Sequence, residues 1–335
     1  MKLFITGGAG FIGSALIRYY IQNTKHQIIN IDKLSYAANL NSLSTVDRDP
    51  RYHFEHTDIC NRESIKQLLD RYQPDAVIHL AGESHVDRSF IDPNIFVSTN
   101  VVGTQTLLEC SRQYYDSRST QQHFRFLYVS TDEVYGSRAG DETVDEKAAF
   151  QPNSPYAASK AAATHLVRSY FNSYQFPVLT TYCSNNFGPW QYPEKLIPVT
   201  IRNALQQQVI PIYGTGQQSR DWVYVDDHVL ALDTVLRKGK PGEGYNINGG
   251  HEISNLRLVH RICDQLDFLS PAADGRNYRD LIQFVEDRPG HDRRYGISDQ
   301  KIRRKLGWSP AESFDSGLEK TLLWHMQTIF TVNKS

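Results

Sequence analysis

The chain has 335 residues, of which 40% are apolar and 22% charged, and its formal net charge is −1. That length exceeds one minimal core and suits a large α/β domain with a smaller lobe, while the near-zero charge excludes a field that draws in nucleic acid or an anionic membrane. Four scattered cysteines, Cys60, Cys110, Cys183 and Cys263, form no C-x-x-C pair, which excludes zinc spacing and a secreted disulfide framework.

Short apolar runs alternate with longer helix-like segments. The runs Leu3–Thr6, Gln27–Ile31, His53–His56, Ala76–Leu80, Phe124–Val129 and Val178–Tyr182 predict strands. Gly13–Gln22, Arg62–Tyr72, Asn94–Tyr114 and Tyr156–Ser173 predict the helices between them, and Ser117–Gln122 reads as a polar loop. This βαβα order predicts an α/β, Rossmann-type, doubly wound parallel sheet with right-handed crossovers. After Asn186 prolines and glycines shorten the segments, so a smaller substrate-binding lobe is expected there. The expected division is 1–186, rejoined by about 227–250, for the cofactor domain, and 187–226 with 251–335 for the lobe. No run reaches membrane-spanning length and no signal-like run opens the chain, so the cytoplasm is the expected compartment, with buried, reduced thiols. The cluster Arg303-Arg304-Lys305 reads as a solvated helix face.

The first strand runs into Gly7-Gly8-Ala9-Gly10-Phe11-Ile12-Gly13. Gly7 suits a tight turn, Gly10 a close approach of pyrophosphate, and Gly13 close packing of helix on strand. Asp32 ends the second strand, where a carboxylate bonds ribose hydroxyls and repels a 2′-phosphate, favouring NAD over NADP; Lys33 beside it softens that preference. Asp58 and Ile59 follow the third strand. There Asp58 either bonds the adenine amino group or caps the helix that starts near Asn61.

Two further clusters carry chemistry. Tyr156 and Lys160 lie four apart at a helix start, on one face, where an ammonium would lower the phenol's pKa. Thr131-Asp132-Glu133 follows the fifth strand, at the carboxyl edge where active groups gather. Two adjacent carboxyls there can divide into an acid and a base.

With these runs in place, the chain resembles the extended short-chain dehydrogenase/reductases, and within them the dTDP-glucose 4,6-dehydratases. The resemblance also covers Leu80–Ser89, Ser184–Pro189, Pro193–Pro198, Arg220–His228 and Asp287–Tyr295. The Thr-Asp-Glu triplet discriminates, because the related epimerases usually lack the Asp-Glu pair. The resemblance implies that Tyr156, helped by Lys160 and Thr131, deprotonates the glucose 4-hydroxyl as NAD takes hydride from C4. It implies that Glu133 then removes the C5 proton, that Asp132 protonates the departing 6-hydroxyl, and that hydride returns to C6. Leu80, Ala81 and Thr99 join the cofactor set. For the nucleotide sugar it implies Ser84 and His85 near the hexose, Asn186 and Arg220 near the diphosphate, and Glu194, Lys195 and Tyr213 around the base and its sugar, with Asn185, Leu196 and Pro211 also in the substrate set. Asn255, Arg288, His291 and Tyr295 complete that side. It also implies a homodimer pairing the helices Asn94–Tyr114 and Tyr156–Ser173. Gly82, Tyr182 and Asn248 depart from the family pattern, which has alanine, arginine and glycine there. Competing readings are the same reaction on UDP-glucose or another nucleotide sugar, a nucleotide-sugar epimerase or decarboxylase, and a non-catalytic NAD-binding module.

Overall fold

The computed structural model describes residues 1–118 and 124–332, with side chains to residue 328. Of the expected loop Ser117–Gln122, residues 119–122 therefore lie outside the described residues. Twelve strands are present among the described residues: β1 (Lys2–Thr6), β2 (Gln27–Asp32), β3 (Tyr52–His56), β4 (Ala76–His79), β5 (Arg125–Thr131), β6 (Val178–Cys183), β7 (Asn185–Phe187), β8 (Ile210–Tyr213), β9 (Ser219–Tyr224), β10 (Gly244–Ile247), β11 (Glu252–Ser254) and β12 (Ile282–Val285). Seven of them form one parallel sheet in the order β10-β6-β5-β4-β1-β2-β3. The order reverses between β1 and β4. That switch point opens a crevice at the carboxyl ends of the strands, where ligands bind in such sheets.

The strands are apolar on both faces because both are covered. Leu3 and Ile5 pack toward one core with the helices Phe11–Asn23 and Val225–Lys238. Phe4, between them in sequence, packs toward the opposite core with Arg62–Tyr72, Thr104–Ser117 and Pro155–Tyr174. The alternation repeats in β5, with Leu127 and Val129 on one side and Phe126 and Tyr128 on the other. Fully burying such a side chain contributes roughly 1.5–3 kcal/mol, so a one-residue slip in β1 or β5 would be costly.

Helix ends follow local chemistry. Asn61 accepts from Ser64 N at 3.1 Å and so caps Arg62–Tyr72 itself, while Asp58 instead accepts from Cys60 N at 2.9 Å. Ser154 caps Pro155–Tyr174 through Ala157 N at 3.1 Å, with Pro155 in the first turn. The single helix expected over Asn94–Tyr114 is broken. An α-turn at Pro93–Phe96 passes through a wider π-turn at Val97–Gly103 before Thr104–Ser117 resumes. The extra residue lets Asn100 reach sideways: its Nδ2 donates to Ser159 Oγ at 2.8 Å and to Glu83 O at 3.0 Å.

Beyond Phe187 a third core gathers Ile197, Ile201, Trp222, Leu258, Ile262, Leu318 and Leu322. Around it stand a three-stranded sheet, β11-β9-β7, and the parallel pair β12-β8. The helix Val225–Lys238 and β10 return to the large sheet, where β10 pairs with β6. Arg303, Arg304 and Lys305 are exposed on the short helix Gln300–Leu306. All four cysteines are free; three are buried and Cys60 is half-buried.

Candidate active site

One cleft of about 650 Å³ runs along the carboxyl edge of the large sheet and against residues of the third core's elements, such as Leu196 and Ile212, within the usual range of roughly 300–1,000 Å³ for ligand sites. Its cofactor end is made by the turn after β1. Gly7 takes φ +73°, and a Cβ there would lie 2.6 Å from Ala81 N. A Cβ on Gly13 would lie 2.2 Å from Gly7 O, so the third glycine is demanded by packing. Gly10 heads the helix Phe11–Asn23 without a side-chain cap, and no acidic residue lies in its first turn. Such an N-terminus suits a pyrophosphate. Asp32 is 8% exposed and lines the cleft; its Oδ2 accepts from Ala9 N at 2.9 Å and its Oδ1 from Leu34 N at 2.8 Å. Lys33, Ile59, Ala81 and Thr99 meet Asp32 in an adjoining recess, where Lys33 Nζ donates to Thr99 Oγ1 at 3.0 Å. Asp58 lines neither cavity and stands 3.7 Å from Lys33. The glycines, the open helix end and the carboxylate fit NAD.

The centre of the cleft brings Thr131, Asp132, Glu133, Tyr156 and Lys160 together. Thr131 Oγ1 accepts from Glu133 N and donates to Asp132 Oδ1, both at 3.3 Å. Burial, followed by the neighbouring Glu133 charge, holds the Asp132 carboxyl well above the usual range. Burial also raises Glu133, but Arg220, Arg288 and Lys195 oppose that rise. The two environments therefore differ: burial and the Glu133 charge push Asp132 toward its protonated form, whereas Glu133 faces three cations that favour its ionised form.

The expected lowering of the Tyr156 pKa is not what the structure gives. Burial and the Glu133 charge push the phenol well above its ordinary value, and only Thr131 opposes them. Lys160 Nζ donates instead to Val129 O at 2.7 Å and stands 4.4 Å from the Tyr128 ring centroid. Its own pKa falls to about 7 through burial, so the ammonium is only fractionally charged at neutral pH. The four-residue spacing places both groups on one face as read, but the charge relation differs because the protein buries both.

At the substrate end, every residue expected to hold the nucleotide sugar lines the same cleft. Asn255 Oδ1 and Arg288 Nε are buried there without a protein partner, which is what a polar ligand would satisfy. Several of these groups bond across the cleft. Tyr36 Oη donates to Glu194 Oε1 at 2.9 Å, Lys195 Nζ donates to Ser84 O at 2.9 Å, and Arg288 Nη1 meets Asp87 Oδ1 at 3.1 Å. His85 Nε2 lies 3.6 Å from Glu194 Oε2. Asn186 is held by Ser184 O at 3.0 Å and by His228 Nδ1 at 2.8 Å. Arg220 directs Nη1 to Ser219 O at 2.7 Å and Nη2 to Asp292 O at 2.8 Å, so part of its donor fork is fixed by backbone.

The sequence reading missed Glu83, Asp87, Gln191 and Tyr192, which also line the cleft. Glu83 and Asp87 sit inside the Leu80–Ser89 run and were within reach of it. Gln191 and Tyr192 lie in an irregular stretch with no periodic signal. Of the departures, Tyr182 joins a buried cluster with Tyr135 and Phe150, and Asn248 Nδ2 donates to Ile297 O at 2.8 Å. Gly82 lines the cleft, where a Cβ would approach Asn100 Oδ1 to 2.9 Å.

Residues 4–321 match the family model described as GDP-mannose 4,6 dehydratase. The chain is 51% identical to dTDP-glucose 4,6-dehydratases of Salmonella typhimurium, over 99% of this chain and 95% of that one, and of Neisseria meningitidis, over 97% and 93%. Among solved structures it is similar to the dTDP-glucose 4,6-dehydratase of Streptomyces venezuelae with NAD and TYD bound, at TM-score 0.88 and 41% identity over 98% and 97% of the two chains. It is also similar to a UDP-glucuronic acid 4-epimerase from Bacillus cereus, at TM-score 0.86 but 28% identity, covering 98% of this chain and 100% of that one. That epimerase shares the architecture at 28% identity, whereas these dehydratases are half-identical over nearly the full length, and the chain belongs to the dTDP-glucose 4,6-dehydratases within the extended short-chain dehydrogenase/reductases.

Proposed function

We propose that the protein converts dTDP-glucose to dTDP-4-keto-6-deoxyglucose with a retained NAD. The observation that carries this reading is the adjacent pair Asp132 and Glu133, set next to Tyr156 and Lys160 in one cleft, with burial favouring a proton on Asp132 and three cations favouring charge on Glu133. When bound, NAD supplies a hydride acceptor at C4 and a hydride donor at C6. Tyr156 takes the C4 hydroxyl proton, with Lys160 and Thr131 beside it; it must enter this step as the phenolate, and the positive charge that NAD would bring into the cleft would favour that form against its burial. The resulting ketone acidifies C5–H. Glu133 takes that proton, the C5–H electron pair becomes the C5=C6 bond, and the C6–O bond breaks as Asp132 donates a proton to the departing hydroxyl, which leaves as water. Glu133 then returns its proton to C5 as C6 is reduced. Over one turnover Tyr156 gains a proton and Asp132 loses one; Thr131 Oγ1, bonded to Asp132 Oδ1 at 3.3 Å and adjoining the phenol, is the group through which it returns.

The remaining cleft residues act by holding. Gly7, Gly10, Phe11, Ile12 and Gly13 would seat the pyrophosphate, Asp32 the adenosine ribose, and Asn186, Arg220, Asn255 and Arg288 the nucleotide diphosphate. Residues 1–186 with 227–250 would form the cofactor domain, and 187–226 with 251–335 the lobe. The proposed assembly is a homodimer, supported by Val97 and Val102, each about half exposed, on the π-turn and by exposed Ala158 and Ala162 on the adjacent helix. Light scattering at micromolar concentration should give twice the chain mass. No described helix is long and apolar enough to cross a membrane, and four free thiols suit the cytoplasm. Incubation with dTDP-glucose and with UDP-glucose, followed by product identification, tests the function. A C6 methyl must appear from dTDP-glucose; an epimerised hexose with its 6-hydroxyl intact would overturn the proposal.

A further inference from the structure

A third carboxylate stands behind Glu133, on the lobe side. Asp292 is 6% exposed and stands outside the residues that line the cleft. It bonds in three directions. Oδ2 accepts from Tyr295 Oη at 2.8 Å, Oδ1 accepts from Asn153 Nδ2 at 2.6 Å, and the backbone oxygen accepts from Arg220 Nη2 at 2.8 Å. Tyr295 Oη also reaches Glu133 Oε2, at the longer distance of 3.3 Å. A phenol carries one proton, and the shorter bond claims it. The guanidinium of Arg220 lies 4.5 Å from the Tyr295 ring centroid, which fixes the ring between Asp292 and Glu133.

This arrangement acts on the basicity of Glu133. A full hydrogen bond to a carboxylate stabilises its charged form and weakens it as a base, whereas a nearby negative charge strengthens it. Asp292 does both things in the strengthening direction: it draws the Tyr295 proton away and adds its own charge. Arg220, Arg288 and Lys195 pull the other way and keep Glu133 ionised. We propose that Asp292 is a positioning residue for the elimination, holding Tyr295 and Arg220 so that Glu133 stays basic enough to take the C5 proton. The inference rests on Glu133 being that base.

The test is Asp292→Asn, read on the two halves of the reaction separately. The first oxidation is followed by reduced-cofactor absorbance on rapid mixing with dTDP-glucose, and C5–H cleavage by label loss from the C5-deuterated substrate. With the charge gone and the Tyr295 proton released toward Glu133, C5–H cleavage should slow on the order of tenfold, as one unit of basicity implies. Its isotope effect on kcat should grow, while the first oxidation and KM stay unchanged. Asn153→Ala, which loosens Asp292 without removing its charge, should slow the same half selectively and by less. It carries the test if Asp292→Asn does not fold. Equal slowing of both halves, or unchanged C5–H cleavage in the variant that folds, would overturn the inference. Glu133→Gln separates the two levels. If C5–H cleavage survives in it, the base assignment fails; if it is lost there but untouched in Asp292→Asn, only the role of Asp292 fails.

Discussion

Replacing both acids by amides, Asp132→Asn with Glu133→Gln, isolates the dehydration from the oxidation. Neither change should unfold the protein. Burial raises both carboxyls, so the native state disfavours their charge, and amides remove that cost. The bonds lost are weak ones, Thr131 to Asp132 and Tyr295 to Glu133, each 3.3 Å long. Tyr156 and Lys160 are untouched, and removing the Glu133 charge relieves one of the influences raising the phenol. Oxidation at C4 should therefore persist. Elimination loses a general acid and a general base, each typically contributing about 10²–10⁴-fold, so it should slow by at least the lower figure. The protein should then accumulate reduced cofactor and a 4-keto hexose that retains its 6-hydroxyl, seen by near-ultraviolet absorbance and by product analysis after quenching. Tyr156→Phe supplies the opposite signature, with no reduced cofactor at all. Turnover of the double amide variant near the wild-type rate would refute the assignment of both carboxyls.

Two further outcomes follow from burial. Gly13→Ala would drive a Cβ to 2.2 Å from Gly7 O; purified variant should carry little or no NAD(H), and wild-type-like cofactor content would contradict the packing argument. His325 is 7% exposed, meets the Trp324 ring edge-on and has its pKa lowered to about 4 by burial. Between its unfolded value near 6.5 and that folded value the unfolded chain binds the proton and the folded chain does not, so stability is present above pH 6.5 and lost as pH falls. From pH 7 to pH 5 this single group should cost about 2 kcal/mol, and His325→Phe should reduce the acid loss of stability in denaturant titrations by that amount. An unchanged pH dependence would mean that His325 is protonated in the folded protein.

Much of the fold was legible because its signals are local. Each predicted strand of the large sheet agrees with the observed one to within two residues, since a strand buried on both faces is a short unbroken apolar run such as Leu3–Thr6. The helix Arg62–Tyr72 was read to the residue, with Asn61 before it and Gln73 in a left-handed conformation after it. The π-turn was not legible. Val97–Gly103 has ordinary helical composition, and its widening answers to distant partners, Glu83 and Ser159. The same division holds at the site. The glycines, Asp32, the Thr-Asp-Glu run and the Tyr/Lys pair are contiguous or regularly spaced, whereas Tyr36 with Glu194 and Arg288 with Asp87 are joined only in space.

What the chemistry needs most was readable only through the family resemblance, not from the residues themselves. Asp132 and Glu133 are neighbours on one turn, and nothing in their order says which will keep a proton. The difference comes from what the lobe brings to each. Lys195, Arg220 and Arg288 are contributed by three separate segments, and all three act on Glu133, while Arg220 alone among them acts on Asp132, against the added charge of Asp221. Arg220 is in turn oriented by the backbone of Asp292 and Arg293, and Arg288 by Asp87 across the cleft. On the proposed reading, the acid and the base are distinguished by tertiary contacts that residues beyond Phe187 make with the Thr-Asp-Glu turn. A substitution that loosens the lobe while leaving the Thr-Asp-Glu turn intact should blur the division between the two carboxyls before it disturbs oxidation at C4, because Tyr156 and Lys160 are positioned by the helix Pro155–Tyr174 and by Val129 of β5.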